Sequence, residues 1–386
     1  MLRVLHTADV HLGARHADLG EQAAAQRERQ FAAFRASVDL AIAEPVDLVL
    51  IAGDLFDSNV QPRRSVERVA AELKRLVEAR IRTVLVPGTH DVYDRASIYR
   101  AHDLPGLAGA AGSDLLTLLT PDRGSVRLEP LDLTVHATVF ATKRSPRSPL
   151  AELAVGGDPS TWQIGIVHGS IAIPNQTEHD EVVITTEEIA GSGLDYLALG
   201  HWHSFSKGKA GRTVYAYSGA PEPVALDQDR AGNVVIVTLD HEKATKKVSL
   251  EERRVGKTRF EKLELDAASV ASQPALVELL GARADGDLVL DVSLIGVRPD
   301  LLDVHVDEVE GTLADRFMKV RVRDRSIPAL SDGPLPPEDT ILGAFVRDIQ
   351  AGIAELEASD DQDGATELRD VLRLGRLLLA GQEVTL

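Results

Sequence analysis

Short apolar runs alternate with longer stretches of helical spacing through the first two-thirds of the chain. Leu2–His6, Asp47–Ala52 and Thr83–Val86 are brief aliphatic runs bounded by turn formers, which predicts buried strands. Between them Phe31, Phe34, Val38 and Ile42 recur near helical spacing and predict a helix over Glu21–Glu44. Arg63–Arg80 carries a second amphipathic pattern, entered through Pro62, whose missing N–H is harmless at a helix start. Leu133–Phe140, Gln163–Val167, Tyr196–Leu199, Val214–Tyr217 and Asn233–Leu239 continue the strands. Such alternation predicts an α/β sheet system, and the later strands leave so little room for helices that part of it is expected to be antiparallel.

The pattern changes near His241. Glu242–Arg254 reads as a charged, strand-like exit. Lys257–Asp266, Leu288–Ile295 and Phe317–Arg323 then predict strands, with helices over Ser269–Leu280 and Leu301–Asp315, a small α+β unit ending near Ile327. Gly333, Pro334, Pro336 and Pro337 mark a stiff linker over Ser331–Glu338. Two helices, Thr340–Leu356 and Gly364–Leu379, follow on either side of the acidic run Ser359–Asp363. The expected organisation is therefore three segments, 1–245, 246–330 and 331–386, with no internal repeat.

Composition narrows the chemistry. The chain has 386 residues, no cysteine and a formal net charge of −18. Without thiols there is neither disulfide nor thiolate site, so any metal must be held by oxygen and imidazole, which suits Mn, Mg, Fe or Zn. The negative charge argues against a basic coat for gripping nucleic acid. No apolar run approaches the roughly 18 residues of a membrane span. The N-terminus enters a strand without a charged leader, so a cytoplasmic protein is expected.

The position of the acids and imidazoles relative to the strands carries the most information. Leu2–His6 is followed by Asp9-Val10-His11, and Asp47–Ala52 runs into Gly53-Asp54-Leu55-Phe56-Asp57. Thr83–Val86 leads to Gly88-Thr89-His90-Asp91, Gln163–Val167 to His168, and Tyr196–Leu199 to Gly200-His201-Trp202-His203. Each strand presents these groups at its C-terminal end, where α/β sheets build sites. Singly, each motif is an ordinary solvated turn; in this order and setting they point to a shared metal site. His16, His102, His136, His179, His241 and His305 have no such setting and are expected to be structural or on the surface.

This series resembles the calcineurin-like metallophosphoesterases over about the first 240 residues. The resemblance implies a four-layer αββα sandwich, followed here by the small α+β capping unit and the C-terminal helices. It also implies roles. Asp9, His11 and His203 would hold one divalent cation, His168 and His201 a second, and Asp54 would bridge two ions about 3.5–4 Å apart. His90 would act as the acid for the leaving alkoxide, oriented by Asp91. Thr89 stands where the family's motif has Asn, whose carbonyl oxygen serves the second ion; the shorter hydroxyl is a weaker ligand and puts occupancy of that site in question.

Within the family the chain is most similar to the SbcD-type DNA double-strand-break repair nucleases. The opening Val4–Gly13 with its following long helix, the Gly53–Asp57 turn before a Pro-led helix, the turn Tyr217–Glu222, and the capping pattern around Leu288–Leu313 carry that likeness. It implies a Mn-activated DNA exonuclease and endonuclease, with an SbcC-type ATPase as partner. The C-terminal helices, where Val371, Leu372, Leu374, Leu377, Leu378 and Leu379 are unusually apolar, would bind its coiled coil or simply pack on their own protein. Homodimerisation through Arg95–His102 or the Arg63–Arg80 helix is a further expectation. Lys143, Arg144 and Arg147 in a loop, and the alternating Lys319, Arg321, Arg323 and Arg325, are candidate DNA contacts or plain solvated faces. Two other readings stay open: hydrolysis of nucleotides or other small phosphoesters, and a weakly active scaffold subunit.

Overall fold

The computed structural model describes the chain except at residues 152, 154, 156–158, 174–176, 178, 179, 181, 226, 227, 229, 244, 300, 301, 329–334, 360 and 380–386. Packing divides it into two units, Met1–Phe260 and Glu261–Leu386.

The first unit is built on two six-stranded sheets. Strands β1 (Leu2–Thr7), β2 (Leu48–Ala52), β3 (Arg82–Val86) and β4 (Leu116–Leu118) run parallel in register Val4↔Leu48↔Arg82. Their connections are α1 (Ala23–Ala43), α2 (Arg63–Glu78) and two short helical turns, α3 (Ile98–Ala101) and α4 (Leu104–Leu107). The second sheet contains β5 (Ser125–Leu128), β6 (Leu133–His136) and β7 (Trp162–His168). After a small pair, β8 (Ser170–Ile171) with β9 (Val183–Ile184), and helix α5 (Thr186–Gly191), it is completed by β10 (Tyr196–Gly200), β11 (Ser206–Ala210) and β12 (Thr213–Tyr217). The order is β11-β12-β10-β7-β6-β5. Two long strands, β13 (Asn233–Glu242) and β14 (Thr245–Arg254), then return to the first sheet, β13 lying antiparallel on β1. The expected antiparallel pairs are β1–β13, β13–β14, β11–β12 and β5–β6.

Side-chain alternation decides what each strand faces. Leu5, Val49, Ile51 and Leu85 pack beneath Phe34 and Leu73 of the two long helices. Val4, Leu48, Leu50 and Val84 point the other way, onto Val135, Ile164, Ile166 and Ala198 of the second sheet. The outer face of that sheet, Val167, Leu197, Leu199 and Tyr217, is covered by Ile184 and Ile189. The layers therefore run helix, sheet, sheet, helix, as the resemblance implied, although the fourth is thin because α5 spans only six residues. Strands covered on both faces read as continuous apolar runs, which is why the pattern exposed them. One polar pair crosses the inter-sheet core: His6 Nδ1 of β1 and the Tyr196 hydroxyl of β10 are 2.8 Å apart. Burial pushes the His6 imidazole down to about 3.

The charged segment after His241 pairs with β13 along its whole length and so belongs to the first unit. In the second unit, β15 (Arg259–Asp266), β16 (Leu288–Ile295) and β18 (Lys319–Asp324) form a three-stranded sheet, and a minor parallel pair, β17 (Val297–Arg298) with β19 (Ile327–Pro328), lies before and after β18 in the chain. Helices α6 (Gln273–Gly281) and α7 (Val306–Leu313) cover it, with Leu276, Leu280, Val309 and Leu313 on Leu290, Val292, Val320 and Val322. Lys319, Arg321 and Arg323 alternate with the buried valines as expected, and Arg323 pairs with Asp291 at 3.2 Å. Helices α8 (Ile341–Ala358) and α9 (Gln362–Leu379) pack antiparallel, Gly375 beside Phe345 and Gly352 beside Leu368. Leu372 is buried there, whereas Val371, Leu378 and Leu379 are exposed. Leu301, His179, residues 331–334 and the side chain of Leu377 lie outside what is described. Among the described residues, no helix is long and apolar enough to cross a membrane.

Candidate metal centre

The ends of β1 and β2 are zipped together by backbone bonds: Asp9 N to Gly53 O at 3.1 Å, His11 N to Asp54 O at 2.9 Å and Leu12 N to Leu55 O at 3.0 Å. Asp9, His11, Asp54 and His201 all have positive φ, 53°, 48°, 50° and 106°. L-residues adopt that region at a cost, and such residues cluster where geometry serves chemistry. Two glycines let the sheets meet here. A Cβ at Gly53 (φ +89°) would enter the His168 ring, and one at Gly200 would collide with the Ala52 carbonyl.

The side chains converge from both sheets. Asp9, His11 and His203 bring one donor atom each within 4.8 Å of one another, as do Asp9, Asp54 and His168, and as do His11, Asp57 and His90. His11 Nε2 and His203 Nε2 face each other at 3.2 Å. His168 Nε2 is 3.1 Å from Asp54 Oδ2, and His11 Nε2 is 3.7 Å from the same oxygen. His201 joins differently. Its backbone N–H donates to both Asp9 oxygens, at 2.9 and 3.1 Å, while its ring stands edge-on to His168 with centroids 5.3 Å apart. Thr89 is buried and lines a small recess with Gly88, Thr138 and His168.

The expected partnership of His90 with Asp91 takes another form. Asp91 is fully buried and accepts from Gly88 N (2.7 Å), Phe56 N (3.1 Å) and the Tyr99 hydroxyl (2.5 Å), so its oxygens hold the loop rather than the His90 ring. The ring rests on Asp57: its Nδ1 is 3.0 Å from the Asp57 carbonyl and 4.0 Å from the carboxylate. Asp57, three residues after Asp54 in the same turn, was visible in the motif, but its task was not.

Two further residues emerge only in three dimensions. The Gln228 amide contacts His203 Nδ1 at 2.5 Å, and its oxygen accepts from Val224 N and Ala225 N. Trp202, between the two histidines, stacks on Tyr217 at 4.9 Å and 16°, and its indole N–H donates to Ser170 Oγ at 3.1 Å. Fixing the middle residue on this side fixes where its flanking imidazoles go.

The electrostatics suit a cation. Burial raises the Asp9 carboxyl to about 6, Asp54 adding to the effect while the His168 and His11 rings oppose it. Burial likewise works against charge on His168, yet the Asp54 and Asp9 carboxylates raise that imidazole to about 10. Asp54 is held well below the carboxylate range despite burial, by His168, His11 and His90. His203 is pushed down to about 3 by burial and by His11. A field that keeps one imidazole protonated so firmly draws positive charge in general. The donors are buried oxygens and imidazole nitrogens, a set that fits hard or borderline divalent ions.

Residues 2–205 match the profile of the calcineurin-like phosphoesterases. The chain belongs to that family. Its relatives within and beside it are distant. It is 28% identical over 245 residues to the DNA double-strand break repair protein Mre11 of Aeropyrum pernix, covering 59% of this chain and 55% of that protein. It is 25% identical to the protein of the same name from Halobacterium salinarum, over 95% of this chain and 97% of the relative. The metallophosphoesterase YhaO of Bacillus subtilis is 25% identical over 82% of this chain and 76% of its own length. The match to the Aeropyrum protein thus spans little more than half of that relative, whereas the Halobacterium match runs nearly end to end. As a phosphoesterase of this family the chain is a hydrolase of the metal-dependent kind.

Proposed function

We propose that this chain is a two-metal-dependent phosphodiesterase acting on DNA, an exonuclease and endonuclease of the SbcD type. The observation that carries the reading is the convergence of Asp9, His11, Asp54, His168 and His203 from four strand ends into groups of donor atoms within 4.8 Å. Asp9, His11 and His203 would hold one cation and His168 and His201 the other, with Asp54 between them and Thr89 offering its hydroxyl to the second. Mn is the expected ion, with Mg, Fe or Zn as alternatives. Bound there, the cations supply activation of water at neutral pH and neutralisation of charge at the phosphoryl group.

The chain's own residues do the rest. His90 is half-exposed, its side chain 49% accessible, and its Nδ1 is occupied by the Asp57 carbonyl. That leaves Nε2 to hand a proton to the departing alkoxide, the work of a general acid. Asp91 and Tyr99 keep the His90 loop from moving, and Gln228 and Trp202 keep the His201–His203 turn in place.

The repair-protein names of the relatives support DNA as substrate, and an SbcC-type ATPase as partner is what the resemblance to the SbcD-type nucleases implies. In this reading residues 246–330 cap the nuclease and bind DNA, and the segment 331–386 engages the ATPase through the exposed Val371, Leu378 and Leu379. Dimerisation would use the Arg63–Arg80 segment or Arg95–His102. A small phosphoester as substrate is the second reading, favoured by the net charge of −18. Mn-dependent cleavage of linear duplex DNA, run beside bis-p-nitrophenyl phosphate, decides between them. Turnover of the small diester without cleavage of DNA would select the second; metal binding with neither activity would leave a scaffold subunit.

A further inference from the structure

An open groove of about 520 Å³ begins at His201 and His203 and continues along Ser204, Ser206, Gln228 and Arg230. Arg230 is fixed to this wall by its backbone. Its carbonyl accepts from Phe205 N at 3.2 Å and from Asn233 Nδ2 at 3.3 Å. Its guanidinium is exposed and has no ion pair among the described residues. Asp227 and Asp229 flank it in sequence and lie outside those residues. In so acidic a chain many surface arginines are paired with carboxylates, as Arg35, Arg68, Arg75 and Arg82 are. Arg230 stands apart from that pattern.

The groove leads directly onto β11, which starts at Ser206 and is the outer strand of the second sheet. Lys207 and Lys209 are exposed on it, and neither has a partner among the described residues. Two residues apart, they lie on one face about 6.8 Å from each other. A nucleic-acid strand carries one phosphate for about every 3.4 Å of axial rise, so two base steps match that spacing.

We propose that Arg230, Lys207 and Lys209 form a track for the phosphodiester backbone of the substrate beyond the bond being cleaved, so that the groove selects a polynucleotide over a small phosphoester. The inference rests on the phosphodiesterase reading and adds a specificity device to it. The three cations bind and position; the reacting phosphate stays with the metal centre.

The test is steady-state cleavage of linear duplex DNA and of bis-p-nitrophenyl phosphate in Mn, across a series of KCl concentrations. Wild type, Arg230→Gln and the double variant Lys207→Gln/Lys209→Gln are compared. Each variant is expected to lower the ratio of kcat/KM on DNA to kcat/KM on the diester by about tenfold, through KM for DNA. The slope of log KM against log salt should fall by about 0.9 for Arg230→Gln and about 1.8 for the double variant. Charge reversal with Lys207→Glu should lower the ratio further. Wild type that cuts DNA while the variants keep its ratio and slope overturns the inference alone; the lysines then serve only to blunt a sheet edge. Wild type that turns over the diester but never DNA overturns the DNA reading as well.

Discussion

The two sheets bring different chemistry to the centre. The first supplies every carboxylate, Asp9, Asp54, Asp57 and Asp91, together with His11 and His90; the second supplies only imidazoles, His168, His201 and His203. The clusters that join Asp9 to His203 and Asp9 with Asp54 to His168 each draw on both edges. The acids of one half set the protonation of the other, holding His168 near 10, while His203, facing a neighbouring imidazole, is pushed to about 3. Function therefore depends on face-to-face packing of the sheets as directly as on any ligand.

The hardest break in this arrangement is Asp54→Ala, which removes the carboxylate that meets His168 and His11. Turnover should fall by about a thousandfold or more, with loss of bound metal, since charge stabilisation worth several kcal/mol goes with it. Full metal content by elemental analysis would contradict the bridging role. His90→Gln should cost about a hundredfold to ten-thousandfold in kcat yet leave metal content as it was. Metal loss in that variant would make His90 a ligand rather than an acid.

A smaller effect probes the inter-sheet bond. Burial pushes the His6 imidazole down to about 3 in the folded chain, below its ordinary 6.5, so between those values the unfolded chain binds a proton that the folded chain refuses. The contribution of His6 to stability should accordingly be flat above pH 6.5 and fall by about 1.4 kcal/mol per unit below it. His6→Phe should remove that slope, changing the difference from wild type by about 2 kcal/mol between pH 6.5 and 5 in urea melts. Parallel pH curves for the two proteins would refute it.

Thr89→Asn sharpens the comparison from the second-ion side. A longer carbonyl donor beside His168 should tighten the weaker metal site by about tenfold, read by calorimetric titration. No change would mean that Thr89 does not face the ion. Smallest is Trp202→Phe, which keeps the stack on Tyr217 and drops the bond to Ser170. Metal affinity should weaken only a few-fold, with Trp202→Leu worse, on the scale of supporting-residue effects of about 10–100-fold. Equal losses in both would assign the effect to the hydrogen bond alone.

Much of the site was legible because strands buried on both faces leave uninterrupted apolar runs, and the residues just past Thr7, Ala52, Val86, Val167 and Leu199 then stand out. The edge strands β4, β5 and β11 were not legible. Ser206–Ala210 has no apolar pattern at all, because its neighbour in the sheet, rather than its own side chains, makes it a strand. The predicted helix over Leu301–Asp315 narrowed to Val306–Leu313 because Leu302 and Val304 pack into the core of the small sheet from non-helical chain, and burial alone does not distinguish the two conformations. Asp57, Gln228 and Trp202 act through contacts whose partners lie 33, 25 and 32 positions away, respectively, and spacing along a chain carries no trace of these. Asp91 differs in another way: the resemblance implied that it orients His90, whereas its buried oxygens accept from Gly88, Phe56 and Tyr99.

Strand β1 sits in the middle of its sheet, with β2 on one side and β13 on the other. On a ribosome adding about 5–20 residues per second, β1 must wait roughly 10–45 s for the partner that closes its second flank. Until then it presents a bare hydrogen-bonding edge to every other nascent chain nearby. A fragment ending at residue 205, where the family match stops, would keep that edge open permanently and should self-associate, whereas one extended through Arg254 should stay monodisperse.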